Sequence, residues 1–134
     1  LRYRRRISGP LLDRIDVQIE VPAVPPEDLA RTGGGEASSA IRERVIHARE
    51  RMMSRQEKEN ARLTTREIDA HCMPDAQGGT LLRQAIAKLG LSARGYHRIL
   101  KLARTIADLA CADRVGAAHI AEAIQYRRFD RASC

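Results

Sequence analysis

The sequence predicts a mainly α protein: a bundle of four to five helices preceded by one isolated β-strand. Three observations lead to this. The hydrophobic period lengthens from two residues to about 3.6 partway along the chain. Prolines and glycines cluster where the period changes. Aromatic residues make up only 3% of the 134 residues, with no Trp and Phe129 the sole Phe, so the core must be built from Leu, Ile, Val, Ala and Met. Such a core suits packed helices better than a β-sandwich.

From Ile15 to Val21 apolar and polar residues alternate, with Ile15, Val17, Ile19 and Val21 on one face and Asp16, Gln18 and Glu20 on the other. That alternation predicts a strand with one wet side. Nothing else in the chain reads as a strand that could pair with it, so its sheet partner is missing. Pro22, Pro25 and Pro26 end the strand, and the run through Thr32, Gly33, Gly34 and Gly35 reads as a linker.

The first helix is expected from an N-cap at Ser38 or Ser39 to somewhere between Gln56 and Glu59, with Ile41, Val45, Ala48 and Met52 facing the core. Thr64 followed by Glu67 is a capping box that opens a short helix, closed by Pro74 at the latest. Leu81, Leu82, Ala85, Ile86 and Leu89 mark a third helix, stopped by Gly90. Ser92 caps the fourth, expected to be the longest, which places Tyr96, Ile99, Leu100, Ala103, Ile106, Ala107 and Ala110 on a core stripe. A final helix from about Ala117 to Tyr126 presents Ile120, Ala123 and Ile124, and Arg127, Arg128, Asp130 and Arg131 read as a polar tail.

The length fits about one domain. With 43% hydrophobic residues the chain can bury a core and does not read as a disordered tail. No apolar run approaches the roughly 20 residues of a membrane span, which predicts a soluble, cytoplasmic protein without membrane partners. Cys72, Cys111 and Cys134 are odd in number and lack metal-ligand spacing, so reduced thiols are expected rather than disulfides or a zinc site. Lys and Arg total 24 against 17 Asp and Glu, a net charge of +7 that is mostly arginine and starts with Arg2, Arg4, Arg5 and Arg6. A basic excess points to a polyanion partner, either nucleic acid or nucleotide phosphate.

Few residues carry chemistry. The Gly33 to Gly35 run is not followed by Lys-Ser or Lys-Thr, so it is a linker rather than a phosphate loop. His47, His71, His97 and His119 are far apart and read as surface histidines; His71 beside Cys72 is a poor metal pair, and no metal site is expected. No serine has a base at a telling spacing, so a self-contained catalytic site is not expected. Arginines remain. Arg14, just before the strand, either pairs with Asp13 or Asp16 or reaches a phosphate on a neighbouring molecule. Arg94 sits in the first turn of the fourth helix, where a cation opposes the helix dipole unless it meets an anion. With Arg98 and Lys101 it forms a basic stripe that is either a solvated face or an anion-facing one.

Two stretches together carry a resemblance. Ser8-Gly9-Pro10-Leu11-Leu12-Asp13-Arg14-Ile15-Asp16 and the long run from Leu91 through Arg94-Gly95-Tyr96-His97-Arg98 to Leu109 resemble the C-terminal part of magnesium-chelatase-like AAA+ ATPases of the competence protein ComM type. The closing stretch His119 to Arg127 fits the same family. The resemblance implies a fragment that lacks the upstream phosphate-loop motifs. Residues 1-35 would be a remnant of the AAA+ core, ending in its last strand and a linker, and residues 36-134 the helical lid. It implies that Arg14 is the arginine finger acting in trans, and that Arg94 is the sensor-2 arginine with Arg98 a weaker candidate. For the whole protein it implies an ATP- and Mg²⁺-dependent ATPase forming a ring, a hexamer, that remodels DNA by branch migration during natural transformation; the fragment alone would not be an enzyme. A magnesium chelatase subunit of tetrapyrrole synthesis and a stand-alone basic DNA-binding bundle are the alternatives.

Overall fold

The computed structural model describes residues 14–26 and 35–127. Within them lie five helices: α1 (Ser38–Gln56), α2 (Thr65–His71), α3 (Ala76–Leu89), α4 (Ala93–Leu109) and α5 (Ala117–Gln125), with a 3-10 turn at Asn60–Arg62 between α1 and α2. The expected features at Arg2 to Arg6, Ser8 to Asp13, Gly33, Gly34 and the tail beyond Arg127 lie outside the described residues.

The middle of the bundle is α4. It packs on α5, α1, α2 and the 3-10 turn, while α3 packs on α5. Ile99, Leu100, Ala103 and Ala107 are all 0% exposed and meet Leu63, Ile68, Cys72, Leu82, Val115, Ile120 and Ala123 in one cluster. Burying a side chain the size of Ile99 or Leu100 contributes roughly 1.5–3 kcal/mol, so this stripe supplies much of the cohesion. Tyr96 and Ile106 are half-buried, and Ala110 is exposed because it is already the C-cap. With 17 residues α4 is shorter than α1, which has 19, so the fourth helix is the central one and not the longest.

Helix ends obey local chemistry. The backbone N–H of Thr64 and its hydroxyl both donate to Glu67 Oε2 at 2.8 Å, forming the capping box of α2. Ser92 Oγ accepts from the Gly95 N–H at 3.1 Å, and Gly90 ends α3 in the left-handed region at φ 61°. Asp75, which the hydrophobic pattern does not single out, caps α3 by accepting from the Gly78 N–H at 2.7 Å. At α1, Ala37 and not Ser38 or Ser39 is the N-cap, and no side chain caps this end.

Two further expectations are corrected. The stretch Ile15 to Val21 is no strand but exposed irregular chain, because no strand among the described residues offers it a hydrogen-bonding ladder. It borrows a backbone bond instead, Gln18 N–H to the Tyr126 carbonyl at 2.9 Å. On α1, Ala48 and Met52 are buried, but Ile41 and Val45 are 43% and 44% exposed. Periodicity places them on the correct face, but the bundle does not reach that far along the helix.

The C-terminal half of α1 is fastened to α4 by a buried polar cluster. Asp108, fully buried, accepts from Arg55 Nη1 at 2.7 Å and Nη2 at 2.9 Å, from Asn60 Nδ2 at 2.9 Å and from Arg104 Nη2 at 3.0 Å. Arg104 also donates to the Asp113 and Ala112 carbonyls at 2.9 and 2.6 Å. Burial pushes the Asp108 carboxyl up, but hydrogen bonds from Arg55 and Asn60 and the two guanidinium charges outweigh it and hold the carboxyl below its ordinary value. Burial lowers Arg104, against the pull of Asp108. It stays a cation because a guanidinium ordinarily holds its proton far above neutral pH. Arg127 is buried too rather than part of a polar tail, and its Nη1 donates to the Ile15 carbonyl at 3.2 Å.

Between α2 and α3 the chain passes close to the start of α5: Asp75 N–H donates to the Val115 carbonyl at 2.9 Å, within a parallel bridge from Pro74 to Val115. A Cβ on Gly78 would stand 2.9 Å from Pro74 Cβ and 3.3 Å from the Ala117 nitrogen, whereas on Gly79 the nearest atom would be Arg83 Nη1 at 3.6 Å. Thermal melts should therefore show opposite signs: Gly78→Ala destabilises by about 1–3 kcal/mol through the clash, and Gly79→Ala stabilises by roughly 0.5–1 kcal/mol through helix propensity. Asp108→Asn should cost about 3–5 kcal/mol, since it strands the buried Arg104 charge. Removing the Arg51 side chain, whose partner Asp113 is 93% exposed, should leave the melting curve nearly unchanged.

Candidate functional site

Once Ser92 fixes the start of α4, helical spacing puts positions 94, 98 and 101 on one side. That side lines a cleft of about 420 Å³. Arg94, His97, Arg98 and Lys101 come from α4, and Ala61, Leu63, Thr64, Thr65 and Ile68 from the 3-10 turn and α2. Leu102 and Thr105 of α4 and Asp16 of the N-terminal segment complete the lining.

The three cations differ in how they are held. Lys101 Nζ donates to the Ala61 carbonyl at 2.9 Å, tying α4 to the turn across the cleft. Arg98 Nη1 donates to the Arg14 carbonyl at 2.8 Å and pairs with the Asp16 carboxylate. Arg94 is exposed and, among the described residues, has no ion pair or side-chain hydrogen bond. Three positive groups against one carboxylate make the cleft a place for an anion, and the unopposed charge at the first turn of α4 is the group with most to gain from one. Its charged lining side chains suit it to anion recognition, and the Thr64 hydroxyl at its edge is engaged by Glu67 in the capping box.

The structure thus brings Arg94 and Arg98 together. Arg14 is different: its backbone is tied to Arg98, while its exposed side chain is not part of the cleft lining. Sequence reasoning misses Asp16, Thr64 and Thr65 as cleft residues. They lie far from α4 in the chain, and only the capping box hints that the start of α2 has a fixed place.

The remaining candidates have structural roles. His119 Nδ1 accepts from the Gly116 N–H at 3.0 Å and so caps α5, and His47 lies 3.5 Å from Glu50. Cys72 is fully buried, and burial pushes its thiol up to about 11, so it is inert at neutral pH. Among the described residues no group of three or more His, Cys, Asp and Glu side chains could hold a metal ion, and no helix is long and apolar enough to cross a membrane.

Comparison with known proteins places this geometry in context. Residues 35–127 match the family model described as magnesium chelatase, subunit ChlI C-terminal, and residues 1–29 match the model described as magnesium chelatase, subunit ChlI. The chain is 47% identical over 98% of its length to competence protein ComM of Haemophilus influenzae, and 46% identical over 98% to the uncharacterized protein YifB of Salmonella typhimurium. YifB of Escherichia coli is 44% identical over the same share. In each case the chain spans about a quarter, 26%, of the relative's length.

The capping box at the mouth of the cleft carries a pH signature. Hydrogen bonds from Lys58, then from the Thr64 backbone and hydroxyl, hold the Glu67 carboxyl down at about 2 against an ordinary 4.5. A carboxylate depressed on folding contributes stability that is complete above about 4.5 and is lost as pH falls through about 2. The thermal midpoint should therefore fall between these values, and should fall less steeply in Glu67→Gln.

Proposed function

The chain belongs to the family of magnesium chelatase subunit ChlI C-terminal domains, and from that premise we propose that it is the lid and arginine-finger part of a ring-forming, DNA-remodelling AAA+ ATPase. The observation that carries this reading is Arg94, exposed and without a protein counter-ion among the described residues, beside Arg98 and Lys101 in one cleft. In the longer protein Arg94 would be the sensor-2 arginine, with Arg98 in support, meeting the terminal phosphates of ATP bound to the upstream core. The cleft fits that part of the nucleotide, since it offers cations; Asp16 is the one carboxylate in its lining, already paired with Arg98, so the metal would belong with the upstream core.

Arg14 would be the finger that enters the neighbouring subunit's site and neutralises charge developing on the transferred phosphoryl group. A finger acting in trans requires a closed assembly, and a hexameric ring in the cytoplasm is the form we propose. The net charge of +7 suits DNA as the track. Similarity to a protein named for competence favours branch migration in natural transformation as the work performed. A second reading, the ATPase subunit of a magnesium chelatase in tetrapyrrole synthesis, has the description of the matching family model in its favour. Turnover stimulated by branched DNA supports the first, and Mg²⁺ insertion into a porphyrin supports the second.

In the longer protein Arg14→Ala should lower ATP turnover by about 10³-fold or more while leaving nucleotide binding largely intact. Mixing it with subunits defective in the phosphate loop should recover part of the activity. Near-normal turnover of Arg14→Ala with no recovery on mixing would remove the finger assignment. Arg94→Ala should depress turnover and yet leave the melting temperature of the present chain unchanged or slightly raised, because its charge opposes the α4 dipole. If it unfolds the bundle and spares turnover, Arg94 is structural.

A further inference from the structure

Arg98 faces two ways. It lines the cleft beside Arg94, and it also grips the N-terminal segment through the Arg14 carbonyl and the Asp16 carboxylate. Asp16 itself lines the cleft. The segment has two further anchors, Arg127 Nη1 to the Ile15 carbonyl at 3.2 Å and the Gln18 N–H to the Tyr126 carbonyl at 2.9 Å. Residues 14 to 18 are thus fixed to α4 and the end of α5 by backbone and ionic contacts, while Ile15 and Val17 remain 38% and 45% exposed.

We infer that Asp16 is a positioning residue, an internal anion that occupies Arg98 until a phosphate enters the cleft. The proposal rests on reading the cleft as a phosphate site. An incoming oligophosphate carries several negative charges, whereas Asp16 supplies one, and its side chain is 59% exposed against 24% for Arg98. An ion pair this open to water is weak, so a polyanion competes for Arg98 effectively. Like-charge repulsion also drives Asp16 out of the occupied cleft. When Arg98 turns to the phosphate, the Arg14 backbone loses both its hydrogen bond and its neighbour's ion pair. Occupancy of one subunit's cleft would in this way loosen the segment that carries Arg14, with Asp16 and phosphate as mutually exclusive partners of one guanidinium. Because such coupling is reciprocal, holding the segment in place weakens phosphate binding by the same factor.

Amide exchange and NMR titration of the present chain with inorganic tripolyphosphate, at ionic strength held constant with NaCl, test this directly. Millimolar tripolyphosphate should shift the Arg94 and Arg98 Nε resonances and speed exchange of the Gln18 amide at least about threefold, while the core amides of Ile99 and Leu100 stay protected. Asp16→Asn should exchange fast at Gln18 without the probe and bind tripolyphosphate about twofold to fivefold more tightly, the range expected on removing an exposed competing charge. Arg98→Gln should exchange fast and not respond to the probe. If tripolyphosphate shifts both arginines but neither changes Gln18 exchange nor binds more tightly to Asp16→Asn, the latch is overturned and the phosphate reading stands. If neither the parent chain nor Asp16→Asn binds it, both fall together.

Discussion

A single carboxylate with no access to water, that of Asp108, organises the bundle. It accepts hydrogen bonds from α1 through Arg55, from the 3-10 turn through Asn60 and from its own helix through Arg104. A buried charge is tolerated only where its partners are in place, so these three elements cannot shift independently without a large penalty. The cleft depends on the same constraint. Asn60 also donates to Thr105 Oγ1 at 3.1 Å, fixing the turn that carries Ala61 and leads into Leu63, both of them opposite the α4 arginines. Recognition at one end of α4 is thus built on charge burial at the other.

Much of this fold is legible in the sequence because it is set by local rules. Ser92, Gly90 and the pair Thr64 and Glu67 act within a few residues of themselves, so spacing alone places the ends of α2, α3 and α4. Ile99, Leu100, Ala103 and Ala107 follow from period. What stays hidden depends on partners distant in the chain. A strand is half of an interaction, so the alternation from Ile15 to Val21 gives a propensity without a ladder. Ile41 and Val45 show the same limit, since amphipathicity marks a face but not how far the core extends. Arg104 and Asp108 escape a pattern-based reading because charged residues default to the surface, although their four-residue separation on an apolar helix is a usable signal.

The candidate site divides in the same manner. Arg94, Arg98 and Lys101 share a helix, and their grouping follows from helical spacing alone. Asp16 is 82 residues from Arg98, and the charge relation between them arises only from folding. Arg127 has the sequence context of a polar tail and is instead buried, holding the Ile15 carbonyl. Both discrepancies have one cause: the position of an arginine along the chain says nothing about which distant oxygen it will meet.

Beside its larger aliphatic side chains the bundle buries a set of alanines on four of its helices. Ala48, Ala85, Ala103, Ala107 and Ala123 are all among the buried core residues. Helices that meet through methyl groups approach closely and leave little slack. Such a domain has an asymmetric tolerance to mutation, because added volume has nowhere to go at these positions. An alanine scan, the customary way to find important residues, is blind to all five. Their contribution would emerge only from substitutions to valine or larger, so a survey by truncation would rank this interior as less demanding than it is.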